Sequence, residues 1–251
     1  MTLPPAARQI SLDLVPELPA LPIAAEWKDQ QRLWGHSFHP MCSYLASFPA
    51  ALAHAFVARY SRRGDVVLDP FSGRGTTPLQ ASAEGRIGVG NDLNPFAHLL
   101  TAAKVEPASA ADARTRLTSL RLAWAAEAGA WLSLAEDVVA RPGADDVRVP
   151  AAGSKAAPDA AAEPVPAEVA VAFHPRTLGQ LLMVRTALDL TDRTDRFLAA
   201  ALTGILHGKS ASYLSEIMPN TFSMAPRYVR SFATRTGFRS PERDVFDSLE
   251  L

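Results

Sequence analysis

Val66-Val67-Leu68-Asp69-Pro70-Phe71-Ser72-Gly73-Arg74-Gly75-Thr76-Thr77 carries the strongest local signal in the chain. Three apolar residues read as a short strand. An acid, a proline and two closely spaced glycines turn it into a loop, and Pro78 to Glu84 continues as a helix until Gly85 stops it. Arg86 to Asn91 fits a second strand that ends at Asp92, and Pro95 to Lys104 reads as another helix. Residues 66–104 thus run strand, glycine loop, helix, strand, acid, helix, which is the opening unit of a doubly wound parallel sheet.

Upstream, Phe48 to Tyr60 places Leu52, Phe56, Val57 and Tyr60 at helical spacing with Pro49 at the start, and Ser61 to Asp65 forms a turn. Trp27 to Phe48 reads as irregular structure, and residues 1–26 as a loose arm without the basic and apolar regions of a signal peptide. Downstream the pattern becomes helical. Ala110 to Val139 has a period near 3.6, as do His174 to Leu190 and Thr194 to His207. Between them, residues 140–168 hold Pro142, Pro150, Pro158, Pro164 and Pro166 without periodicity and read as a flexible linker. The expected organisation is an arm (1–26), a cofactor-binding unit (27–108), a helical segment (109–139), the linker (140–168) and a helical region with a basic C-terminal segment (169–251). The fold class is α/β, a partial Rossmann-like sheet with a large helical extension.

Hydrophobic residues make up 48% of the chain and charged residues 20%, enough apolar content for a buried core and no apolar run long enough to span a bilayer. A cytoplasmic protein without membrane association is the expectation. A formal charge of −1 argues against a uniform polyanion-binding surface. Within His207 to Arg243, however, Lys209, Arg227, Arg230, Arg235, Arg239 and Arg243 face only Glu216 and Glu242, a balance suited either to phosphates or to a solvated basic surface.

The loop has a chemistry. Gly73 and Gly75 let backbone pass close to a bulky ligand, and the helix that follows offers unpaired N–H groups. Asp92, 23 residues beyond Asp69, stands where a carboxylate accepts both hydroxyls of an adenosine ribose. A tight strand-to-helix connection with no ligand is the alternative reading of the glycines alone. The dinucleotide fingerprint lacks its third glycine here, and Asp69 at the loop's start would repel a pyrophosphate while attracting a cationic amino or sulfonium group. A ligand with an amino-acid end fits better than a dinucleotide.

At these residues the chain resembles a known family. Asp69 to Thr77 is similar to motif I, and Gly90-Asn91-Asp92-Leu93-Asn94-Pro95 to motif II, of the permuted, β-class DNA methyltransferases that modify N4 of cytosine or N6 of adenine. His36-Ser37-Phe38-His39-Pro40, with Phe48-Pro49 and the helix after it, resembles their motif X. The resemblance implies S-adenosylmethionine as cofactor. Phe38, His39 and Pro40 would lie near its methionine end, Asp69, Phe71, Gly73, Gly75 and Thr76 would form the loop, Asp92 would hold the ribose, and Leu93 and Pro95 would flank adenine. Residues 200–228 look like the helical segment that precedes the catalytic half in some bacterial DNA methylases, so that Asn220, Ser223, Arg227, Tyr228 and Arg230 would face DNA or the missing half.

The family's catalytic motif, Ser or Asp followed by Pro-Pro and an aromatic residue, does not occur: the only Pro-Pro pair is Pro4-Pro5, flanked by Leu3 and Ala6. No residue of this chain is therefore expected to be catalytic, and a second polypeptide carrying a Ser/Asp-Pro-Pro-Tyr motif is the expected partner besides DNA. The other readings are a truncated or inactive module that binds without chemistry, and an RNA or small-molecule methyltransferase. Gly204 to Ser210 lacks the first glycine of a phosphate-binding loop, Cys42 lacks the Pro-Cys context of a C5-cytosine methyltransferase, and the six histidines show no metal spacing apart from His36 and His39, which have no third ligand nearby, so no metal is expected.

Overall fold

The computed structural model describes residues 30, 34–44, 47–142, 144, 147–155, 157, 163–208, 210–216, 231 and 233–250. Helix α1 (Ala50–Tyr60) follows Pro49, which sits in extended conformation just before the first turn. Strands β1 (Val66–Asp69) and β2 (Ile87–Gly90) run parallel, Val66 opposite Ile87 and Asp69 opposite Gly90, with helix α2 (Thr76–Ala83) between them. Helix α2 begins at Thr76, one residue after Gly75, rather than at Pro78. Helix α3 (Pro95–Val105) follows β2; Pro95 occupies its first turn and the Asn94 side chain accepts the Phe96 N–H at 3.0 Å.

Alternation along the strands gives the sheet two unlike faces. Gly88 and Gly90 point toward α2 and α3, and the reason is steric: a Cβ on Gly88 would stand 2.1 Å from the Pro78 carbonyl oxygen. Helix α2 thus lies directly on β2. The opposite face carries Val66, Leu68, Ile87 and Val89, which remain 64%, 60%, 57% and 39% exposed. Among the described residues the sheet has these two strands and its apolar outer face lies open.

The rest of the chain forms a helical layer. Helix α4 (Ala110–Ala140) is capped by Ser109, whose hydroxyl accepts the Asp112 N–H at 3.0 Å. It packs along α6 (Pro175–Ala187), with α7 (Arg193–Ile205) and α8 (Val245–Leu249) completing the layer. Trp124 and Trp131 of α4, Leu178 and Val184 of α6, Leu198 of α7 and Phe246 of α8 share one core. Arg116 crosses from α4 to α7, Nε to Asp195 Oδ1 at 2.6 Å and Nη2 to Asp195 Oδ2 at 3.0 Å, a two-point pair on a carboxylate that also accepts the Asp189 N–H. A smaller cluster of Cys42, Leu100, Ala103 and Ala200 joins this layer to α3.

The stretch expected as a flexible linker is, in its described residues, docked on the helices. Strands β3 (Arg148–Val149) and β4 (Glu163–Pro164) pair antiparallel and lead into helix α5 (Ala167–Ala172). Val147, Val149 and Val165 are buried in the helical core. The end of α6 supplies the polar contacts: Arg185 donates to the Pro150 carbonyl at 3.0 Å and pairs with Glu163, while its own carbonyl accepts the Gly153 N–H. Two-residue strands set among prolines show no period, which hid them from a reading of periodicity.

Candidate functional site

The loops that leave the carboxyl ends of β1 and β2 meet, at the place where parallel sheets present ligands. The Gly73 N–H donates to Asp92 Oδ2 at 2.8 Å, and the Asn94 N–H to Asp92 Oδ1 at 2.9 Å. Backbone bonds from Ser72 N–H to the Asn91 carbonyl and from Asn91 N–H to the Asp69 carbonyl zip the loops together below that point. The Asn94 and Gly73 N–H groups hold the Asp92 carboxyl below the usual carboxylate range. Asp92 is therefore ionised at neutral pH, with lone pairs left to accept hydroxyl groups. Asp69, half-buried, accepts the Phe71 N–H at 3.1 Å.

The two loop glycines have separate reasons. Gly75 has φ of 78°, and a Cβ there would lie 2.9 Å from the Thr101 backbone, so it serves the close packing of α3 on the loop. Gly73 has φ of 51° and lies under the ring of Tyr44. Thr76 is buried at the start of α2. Phe71 and Leu93 stand 85% and 99% exposed on either loop, and Pro95 beside them is exposed too. Two exposed apolar side chains flanking a carboxylate and a glycine turn match the needs of an adenosine: an apolar clamp for the base and an acceptor for the ribose.

The upstream segment divides along its length. Pro40 is exposed, but Phe38 packs at 5.6 Å on Phe197 of α7, and His39 is 5% exposed with its ring turned onto α2. His39 Nε2 bonds Gln80 Oε1 at 3.0 Å, and Gln80 Nε2 donates to Glu84 at 2.6 Å, which also takes His54 at 2.6 Å. Because Glu84 accepts from the Gln80 amide nitrogen, the amide oxygen faces His39, so His39 carries its proton on Nε2. Burial lowers the His39 pKa, keeping the ring neutral. His39 thus pins the upstream loop to α2.

Three residues of this site lie outside the sequence expectations. Tyr44 covers Gly73, stacks on Phe96 with centroids 6.1 Å apart and accepts from Asn94 Nδ2 at 3.3 Å. Thr101 and Lys104, three residues apart on one face of α3, reach the loop from below. Thr101 Oγ1 bonds Ser72 Oγ at 3.0 Å, and Lys104 Nζ donates to the Arg74 carbonyl at 2.7 Å. Lys104 is 2% exposed, and burial with the neighbouring Arg74 guanidinium brings its pKa down to about 8. A lysine on the same apolar stripe as Ala97 and Leu100 was the available signal.

Asn220, Ser223, Arg227, Tyr228 and Arg230, expected to face DNA, lie outside the described residues. A cleft of about 970 Å³ lies in the helical layer and is lined by Arg116, Glu127, Trp131 and Asp195 among others. Arg116 and Asp195 there form a structural pair and Glu127 accepts the Trp131 indole N–H at 3.0 Å, which leaves the glycine loop as the better candidate. Among the described residues no cluster of His, Cys, Asp and Glu could hold a metal ion, and no helix is long and apolar enough to cross a membrane.

Residues 22–103, which contain this site apart from Lys104, match the family described as DNA methylase. The chain is 35% identical over 71 residues to the type II methyltransferase M.MjaII of Methanocaldococcus jannaschii, 28% of this chain and 13% of that protein. It is 45% identical over 49 residues to the type II methyltransferase M.MthZI of Methanothermobacter thermautotrophicus, 20% of this chain and 14% of that protein. The match to the type II methyltransferase M.Cfr9I of Citrobacter freundii is 33% over 70 residues, 28% of this chain and 23% of that protein. The likeness therefore covers under a quarter of each relative's length. No solved structure matches the chain.

Proposed function

We propose that the chain binds S-adenosylmethionine between the Asp69–Thr76 and Asn91–Pro95 loops, as the cofactor-binding part of a β-class DNA amino-methyltransferase acting on N4 of cytosine or N6 of adenine. The observation that carries this reading is the bond from Gly73 N–H to Asp92 Oδ2. It ties the glycine turn of one parallel strand to the carboxylate of the next, in a segment similar to DNA methylases.

The residues fit the cofactor's parts in order. Asp92 accepts the ribose hydroxyls, Phe71, Leu93 and Pro95 enclose the adenine, and the turn Gly73-Arg74-Gly75-Thr76 brings backbone against the methionine portion. Asp69 attracts its ammonium group. Phe38, His39 and Pro40 bound the same region, with His39 acting through its hold on α2. The cofactor would supply an electrophilic sulfonium methyl for direct displacement by an exocyclic nitrogen. Asn220, Ser223, Arg227, Tyr228 and Arg230 are the proposed DNA contacts.

The Ser/Asp-Pro-Pro-aromatic motif that positions a flipped base does not occur in these 251 residues; we place it outside them, on a second polypeptide. The face of Val66, Leu68, Ile87 and Val89, open among the described residues, supports that placement, because an apolar sheet face calls for a covering layer. The same missing motif supports a second reading, a module that binds cofactor or partner without chemistry. Calorimetric titration with S-adenosylhomocysteine tests the common ground. Micromolar binding by the wild type, weakened about 100-fold in Asp92→Ala by loss of its bonds to two hydroxyls, is the expected result. A folded chain that takes up no ligand, alone or with a candidate catalytic partner, overturns it. Methylation of DNA on addition of that partner would separate the enzyme from the binding module.

A further inference from the structure

Lys104 is the least expected group in the molecule. An ammonium so far inside normally lies against a carboxylate. Here, among the described residues, its hydrogen bond goes to the carbonyl of Arg74, the middle residue of the glycine turn, at 2.7 Å. Among the described residues no carboxylate pairs with it. The ionisable groups acting on it are Arg74 in the loop above and Cys42 in the upstream segment, with His39 of that segment also within its field. Cys42 adds no anion at neutral pH, since burial pushes its thiol up. A desolvated cation with no counter-charge is costly, and a leucine or methionine at this place in α3 would avoid the cost. What the lysine does that they cannot is hold a loop carbonyl.

Its position makes that hold consequential. Thr101, one turn earlier on α3, fixes Ser72 through their hydroxyls at 3.0 Å. Lys104 fixes Arg74. Between these two points sits Gly73, whose N–H is the one bonded to Asp92. The Arg74 carbonyl is turned down onto the ammonium, and the N–H of the same peptide, that of Gly75, closes the turn on the Ser72 carbonyl at 2.7 Å. Helix α3 therefore sets the turn from beneath while Asp92 sets it from the side.

We infer that Lys104 is a positioning residue for the cofactor site: its buried ammonium holds the Arg74 carbonyl so that the Gly73–Thr76 turn keeps its ligand-receiving shape, and cofactor affinity depends on that ammonium being charged. The inference rests on the cofactor reading above. Loss of the proton leaves a neutral amine, a weaker donor to the same carbonyl. Affinity therefore falls as pH rises through the ammonium's titration near 8.

The test is titration of the full chain with S-adenosylhomocysteine from pH 7 to 9.5, for wild type and Lys104→Met, which keeps the aliphatic stem and removes the donor. At pH 7 the variant should bind about tenfold more weakly, the size of one charge-assisted hydrogen bond, while melting no lower than wild type. The difference between the two should close toward pH 9.5. A lysine with only a structural role would lower the melting temperature and leave the pH profiles parallel, and equal affinities at every pH would overturn the inference. Should the variant not fold, 13C NMR of lysine-labelled wild type decides. By reciprocity, saturation with ligand must raise the Lys104 titration midpoint, and an unmoved midpoint overturns the inference. No binding by folded wild type at any pH would instead overturn the cofactor reading, and this inference with it.

Discussion

Arg116 and Lys104 are both cations drawn inward, one in the helical layer and one beneath the glycine loop. Arg116 meets Asp195 at two points and the Ala187 carbonyl at 2.9 Å, and its pair is complete within the layer. Lys104 has a carbonyl and no counter-charge among the described residues. The same contrast runs through the two regions. The helical layer closes a continuous apolar core around Trp124 and Trp131 and caps α4, α7 and α8 with Ser109, Asp192 and Asp244. The glycine-loop region, among the described residues, leaves a sheet face of Val66, Leu68, Ile87 and Val89 open and sets a carboxylate at the crevice rim. One region closes its own apolar core; the other leaves an apolar face open among the described residues.

That comparison can be attacked first in the helical layer. Trp131→Ala deletes a side chain 1% exposed at the crossing of α4 and α6, and should cost about 4 kcal/mol in urea unfolding. A loss below 1 kcal/mol would mean that this core is not what holds the layer. The inner face of the sheet comes next. Gly88→Ala forces a Cβ onto the Pro78 carbonyl and should cost about 2–3 kcal/mol by the same measurement, with weaker S-adenosylhomocysteine binding. An unchanged unfolding curve would show that α2 does not rest on β2.

Lys104 supplies a pH test that sharpens the contrast. Its pKa falls from 10.5 to about 8 on folding, so between those values the folded chain binds fewer protons than the unfolded one. Stability must therefore rise with pH across that window, by up to about 3 kcal/mol. Urea unfolding of wild type at pH 7.5 and 10 checks the sign, and Lys104→Met should remove the rise. Affinity and stability then move in opposite directions with pH, as expected for a charge kept at a cost for binding. The smallest effect belongs to the outer sheet face. Leu68→Thr, at a position already 60% exposed, should change stability by less than about 0.5 kcal/mol. It should nevertheless weaken capture of a polypeptide bearing the Pro-Pro-Tyr motif, measured by co-purification. A large stability loss with no effect on capture would mean that this face is covered from within the chain.

Much of the glycine-loop region was legible in the residues. A three-residue apolar run, two glycines, a second run and an acid at fixed separation produce β1, α2, β2 and Asp92 almost without tertiary help, because each step is local: alternation, glycine φ, a proline in a first turn. The helices α4, α6 and α7 were legible for the same reason, by their period. The β3–β4 pair was not, since two residues per strand carry no pattern and Val149 and Glu163 meet only in the folded chain.

The site divides along the same line. Asp92, Gly73, Phe71 and Leu93 follow from spacing to the strand ends, and local backbone geometry delivers them there. His39 and Phe38 have the right neighbours in sequence, but their side chains face Gln80 and Phe197, partners 41 and 159 residues away. Tyr44, Thr101 and Lys104 become loop residues only because α3 and the upstream segment close over the turn. Sequence by itself determined where the strands end and which carboxylate stands at their tips, since those depend on neighbours a few residues apart. Tertiary structure alone decided which face of the sheet is open, which way His39 turns and that an ammonium lies buried under the loop. Burial and counter-charge are properties of distant segments brought together, and no local pattern encodes them.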